Sequence, residues 1–234
     1  MAHALSYGVK LNSMRNLIIT FGFIASWASG YCQPKVTETP VVSKKSAALP
    51  SVEHHAFQRG EKLEYQVSYG WIDAGEAIIE VTQESKTIAV RDVMHVVGKG
   101  NSMGTFNWFF KVRDRYETYL DAEGVFPWIF VRDIEEGDFK MKQYYTFNQF
   151  KEKVKTDKGK EFDVPVGVQD MISAFYYART FDYSDAEPNE VYEMHIFIDN
   201  ELWQLRILPC THLDPRTRRA LGCSGLQLSQ SLQK

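Results

Sequence analysis

Residues 57 to 81 read FQRGEKLEYQVSYGWIDAGEAIIEV, and their alternation decides the fold class. Leu63, Tyr65, Val67 and Tyr69 fall on one side of an extended chain, while Lys62, Glu64, Gln66 and Ser68 fall on the other. A period of two marks a half-buried β-strand. Gly70 and the run Asp73-Ala74-Gly75 bracket a turn,. Ala77, Ile79 and Val81 then alternate with Glu76, Ile78 and Glu80 in a second strand. Thr87 to Lys99 supplies a third, most apolar from Val93 to Val97. Short connections make consecutive strands antiparallel neighbours.

The same period continues downstream. From Lys111 to Leu120, Val112, Asp114, Tyr116 and Thr118 share one side, and Arg113, Arg115, Glu117 and Tyr119 the other. Asp121 to Gly124 turns the chain, Phe126 to Arg132 runs back, and Gly137-Asp138 turns it again into Phe139 to Phe147 and Lys151 to Lys155,. The spacing of Met171, Ile172, Phe175 and Tyr176 after Pro165 predicts a helix over 166–180,. Val191 to Ile198 and Glu201 to Ile207, joined by Asp199-Asn200, read as a hairpin,. The expected fold is mainly β: an antiparallel curled sheet or half-open barrel with one covering α-helix, over residues 57–207.

Both chain ends read differently. Lys10 and Arg15 precede an apolar run from Leu17 to Trp27, followed by the small residues Ala28, Ser29 and Gly30. This is the three-part layout of a secretory signal peptide, assigned to residues 1–30 with cleavage after Gly30. The run is about half of the roughly 20 residues a permanent bilayer helix needs, so no stable transmembrane segment is expected. Met14, just ahead of that run, is an alternative start to Met1. Bulky Tyr31 before Cys32 argues against a lipid-modified cysteine. Residues 31–56, rich in Pro, Ser, Thr and Lys, read as a flexible tether,. Residues 208–234 lack alternation and gather Pro209, Cys210, Pro215 and Cys223. They read as an irregular tail, either out of frame or simply disordered. The chain is therefore expected to be exported, to the periplasm or in association with the outer membrane. With no cysteine between Gln33 and Pro209, its body has to be held by packing rather than by a disulfide framework,.

The chain has 27 basic and 30 acidic residues, net charge -3, which gives no footprint for nucleic acid,. His54-His55 lack Cys or carboxylate partners at metal spacing, and His95 and His195 sit in apolar strand contexts, so no metal site is expected,. Ser173 follows Asp170 without a G-x-S-x-G elbow,. Glu135, Glu136 and Asp138 read as a solvated hairpin tip. No catalytic residue, cofactor or enzymatic activity is expected on this basis. Two groups remain as ligand-binding candidates. Asp114, if it points inward, needs a partner, which Arg132 or Arg179 can supply as a buried ion pair or as part of an anion or head-group site,. Phe106, Trp108, Phe109 and Phe110, in NSMGTFNWFF, are either ordinary core or the mouth of a hydrophobic cavity,.

Four blocks carry a family resemblance: FQRGEKLEYQVSYGWIDAGEAIIEV (57–81), KVRDRYETYLDAEGVFPWIF (111–130), VPVGVQDMISAFYYAR (164–179) and IFIDNELWQL (196–205). In these blocks the chain resembles the exported bacterial proteins called domain of unknown function 3108. The resemblance implies a curled, half-open antiparallel β barrel akin to envelope lipoprotein carriers, with a helix across the opening. It implies no reaction, and the sequence departs from the family pattern after Ile207. Two functions follow as expectations. The first is a noncatalytic binding or carrier module for an apolar, lipid-like ligand, marked by an aromatic interior without ionisable pairs. The second is an envelope assembly or structural factor acting through protein contacts, marked by a filled core and an exposed apolar area.

Overall fold

The computed structural model describes residues 49–69, 72–184, 186–187, 190–208 and 226–230. The expected signal peptide, both candidate start residues, the tether up to residue 48, all three cysteines and residues 209–225 of the tail lie outside the described residues. Eight strands form one antiparallel meander: β1 (Lys62–Tyr69), β2 (Ile72–Ile88), β3 (Arg91–Ser102), β4 (Arg113–Asp121), β5 (Pro127–Glu136), β6 (Phe139–Asn148), β7 (Lys153–Thr156) and β8 (Glu161–Asp163). Tyr65 faces Ala77 across β1 and β2, and Ala77 in turn faces Gly100 of β3. The sheet does not close, because β1 and β8 are not neighbours in it. The fold is a curled antiparallel sheet, as expected, that does not close into a full barrel.

Alternation decides what the curl encloses. Along β5, Trp128, Phe130, Arg132, Ile134 and Glu136 are buried while the residues between them are half-exposed. The enclosed side is filled by α2 (Met171–Ala178) and by β9 (Tyr192–Ile198), which belongs to a small second sheet with β10 (Glu201–Ile207) and β11 (Leu226–Gln230). Ile172 and Tyr176 of α2 pack with Phe57, Val81, Val96 and Leu120. Phe130, Tyr145, Phe147 and Val154 pack with Val164, Val168 and Phe197. Each such fully buried apolar side chain contributes about 1.5 to 3 kcal/mol. α2 comes close to the sheet at Gly98, where a Cβ would lie in ordinary contact, 3.5 Å from Ile172 Cδ1 and 3.7 Å from Tyr116 Cβ.

Asp170 sets the start of α2. Its carboxylate accepts the backbone N–H groups of Ile172 (2.8 Å) and Ser173 (2.7 Å), while its own N–H donates to Ser173 Oγ (2.7 Å), a reciprocal capping box,. The helix is therefore eight residues long rather than the fifteen expected over 166–180. The residues before it stay extended because Gln169 exchanges backbone bonds with His195 and Phe197 of β9, each 2.8 Å.

Two further expectations need correction. Residues 49–56 are not a free tether, since their exposure alternates and Leu49, Val52 and Ala56 lie against the core. Val52 N–H also donates to Glu123 O at 2.7 Å. Part of the tail is regular as well: Leu226–Gln230 pairs antiparallel with β10, whose outer edge offers it a ladder of backbone groups,.

Candidate functional site

The connection from β3 to β4 builds an aromatic knuckle. After Gly104, at φ +53°, the chain makes the single helical turn α1 (Phe106–Phe109). Asn107 N–H donates to Met103 O at 3.1 Å and Phe110 N–H to Phe106 O at 2.9 Å. Ser102 ties the base together, its hydroxyl donating to Asn107 Oδ1 (2.8 Å) and accepting from Val112 N–H (2.9 Å). Phe106 and Phe110 are half-buried. The Phe110 ring rests on Gly137, where a Cβ would come within 3.1 Å of it, so that glycine serves both the left-handed turn and the close approach,.

Trp108 and Phe109 point into solvent, 81% and 72% exposed, with their rings edge to face at 4.8 Å. Met103, at the knuckle's base, and Phe139, just past the adjoining β5–β6 turn, are exposed too. Residues 101–110 carry no charge. Phe106, Trp108 and Phe110, expected to line a cavity mouth, instead support and form a projecting tip. Phe109, read with them as part of the same stretch, stands beside Trp108 on that tip.

The second candidate group lies directly inside this knuckle's root. Asp114 of β4 does point inward, 3% exposed, and Glu136 at the end of β5 joins it, 8% exposed. The expectation of Glu136 as part of a solvated tip fails because it falls on the buried parity of β5. Asp114 Oδ1 accepts the Glu135 N–H at 3.3 Å, and its Oδ2 is buried without a hydrogen-bond partner among the described residues. Burial raises the Asp114 pKa. Burial first, and then the Asp114 carboxylate, pushes Glu136 up to about 7. Burial likewise pushes the Tyr116 hydroxyl up to about 12.

Arg132 shares the cluster but gives Nη1 to Asp199 at 2.8 Å, and its Nε is buried without a partner among the described residues. Arg179 is elsewhere. At the end of α2 it makes a two-pronged ion pair with Glu61 (2.6 and 2.8 Å) and donates to Ala56 O (2.8 Å), clamping the 49–56 strap to the helix. It is a structural residue there, with no part in the Asp114 cluster. His95, expected to be satisfied within the sheet, is bridged between Glu84 (3.0 Å) and Glu117 (2.7 Å).

The curl's interior combines aromatic packing with ionisable groups and is occupied by α2 and β9. A surface recess of about 590 Å³ opens beside β8, lined by Lys151, Glu152, Glu161, Asp163 and a few apolar neighbours. Its charged rim suits no acyl chain. Among the described residues no three His, Cys, Asp or Glu side chains gather as a metal site, and no helix is long and apolar enough to cross a membrane.

Comparison with known proteins gives no match among curated proteins and none among solved structures. A family model does match, over residues 64–208, from β1 through β10 and across both the knuckle and the buried cluster. By that match over more than half its length, the chain belongs to the family described as Protein of unknown function (DUF3108).

Proposed function

We propose that the chain is a noncatalytic binding module of the bacterial cell envelope that engages an apolar, lipid-like surface through the α1 knuckle. The observation that carries this reading is the exposure of Trp108 and Phe109, paired edge to face on an uncharged tip. Exposed aromatics cost solvation and are found where one end meets an apolar phase and the other stays wet. The enclosed face is filled, so the ligand contact belongs to the projecting tip rather than to a lumen. The amino-terminal sequence, with its basic start, apolar run and small residues, supports export to the compartment where such a surface is available,.

Burial of each tip aromatic in an apolar phase contributes about 2 to 3 kcal/mol. The Trp108→Ser/Phe109→Ser double variant is therefore expected to lose at least about a hundredfold in affinity for phosphatidylcholine vesicles, measured by co-sedimentation. Equal binding by the wild type and the double variant would overturn the reading. A second reading, assembly through protein contacts, is favoured by a different feature: β1 is an edge strand whose Tyr65 and Val67 are exposed,.

A further inference from the structure

The knuckle's root is fastened over the buried carboxyl pair. Gly137 N–H donates to Lys111 O at 2.8 Å, Val112 makes an antiparallel bridge with Glu136, and the Phe110 ring rests on Gly137. Beneath the pair, β3 contributes Gly100 and Ser102, neither charged, and a Cβ on Gly100 would lie 3.8 Å from Asp114 Cβ. From β5 comes Arg132, from β4 Tyr116, and from the β9–β10 turn Asp199, while β6 offers the neutral Gln143 to Arg132 at 3.4 Å. Lys111 and Glu135 pair with each other at 2.9 Å, and Arg113 is spent on the Ser102 and Val112 carbonyls. Three carboxyls, Asp114, Glu136 and Asp199, thus face one guanidinium, which is already committed to Asp199. If all were ionised, a buried carboxylate pair would lack compensation in a poorly solvated site.

We infer that Asp114 and Glu136 hold one shared proton that clamps the root of the aromatic knuckle, and that its loss loosens the root. The unpartnered Asp114 Oδ2 is the acceptor such a proton needs. Glu136, raised to about 7, loses its proton across neutrality, so its protonated fraction falls from about 90% at pH 6 to about 10% at pH 8,. The consequence for docking rests on the reading of the knuckle as a binding tip. The clamp itself does not.

Hydrogen exchange of the full exported chain, expressed as protection factors so that the intrinsic pH dependence cancels, tests it. In the wild type, protection of the Val112 and Gly137 amides is expected to fall roughly ninefold from pH 6 to pH 8, following the protonated fraction, while that of Phe130 and Tyr145 stays constant. Glu136→Gln and, separately, Asp114→Asn are expected to flatten the pH response at the root. A flat wild type, an unchanged response in both variants, or an equal loss of protection throughout the core would overturn the clamp. Phosphatidylcholine vesicle binding measured in parallel separates the two proposals. No binding at either pH refutes the docking reading alone, and the amide data still decide the clamp.

Discussion

Replacing Asp170 by alanine removes the group that joins α2 to the sheet. Its carboxyl, fully buried, accepts two helix N–H groups and the Thr118 hydroxyl of β4. Loss of the cap costs about 1 kcal/mol. Orphaning a buried amide at the same place costs about 1 to 3 kcal/mol more, while Thr118 retains Ile129 O at 3.3 Å as an acceptor,. The total expected is about 2 to 4 kcal/mol, or roughly 10 °C in Tm for a chain of this size. Urea unfolding followed by circular dichroism measures it, with Ser173→Ala, which removes only the return half of the capping box, expected to cost about 1 kcal/mol. Burial raises Asp170 to about 6, so asparagine, which keeps the acceptor oxygen and carries no charge, is expected to lose less than alanine at pH 7. An alanine variant within 1 kcal/mol of wild type would refute the assignment of Asp170 as the anchor of α2.

Other consequences follow from the same geometry. Stability is expected to fall as pH rises from about 4 to 7, because Asp170 and Glu136, raised to about 6 and about 7, hold protons in the fold that the unfolded chain has released,. Asp121 acts in the opposite window. Burial raises it, but Arg91, the Gly124 N–H and Trp128 outweigh that, so its contribution is lost as pH falls below about 4; urea midpoints across pH 3 to 8 trace both limbs,. Asp121→Ala leaves Arg91 and Trp128 Nε1 without their 2.5 and 3.0 Å acceptors, and is expected to cost about 3 kcal/mol by the same assay,. Gly98→Leu drives a side chain into Ile172 and is expected to cost about 1 to 3 kcal/mol, whereas Gly98→Ala fits in ordinary contact and costs less,.

Much of this architecture was legible where local pattern and tertiary demand agree. Period-two alternation located most strands of the meander, and Asp199-Asn200, at φ 52° and 65°, makes the two-residue hairpin turn its composition announces. The β2–β3 turn was not legible. Ala89 and Val90 adopt φ 49° and 67°, a conformation that β-branched residues rarely take and that sequence therefore does not signal,. The helix was over-extended because Val166 and Val168 fit its apolar spacing, while the Asp170 and Ser173 cap that ends the extended segment is a side-chain event. Glu136 departs from expectation for a related reason: a carboxylate beside glycine in a turn is ordinarily solvated, and only its strand parity turns it to the buried side that Asp114 also faces. Arg179 looked available to Asp114 because linear sequence says nothing of the distance between the end of α2 and the knuckle's root. The aromatic run was visible, but whether it faced a cavity or solvent depended on the length of α1.

Quenching of tryptophan fluorescence by vesicles brominated along their acyl chains tests the docking claim most directly. The wild type is expected to lose a fraction of its emission that Trp108→Ser does not lose, because Trp108 is the tryptophan carried on the tip. Identical quenching of the two proteins, or none in either, would contradict the account.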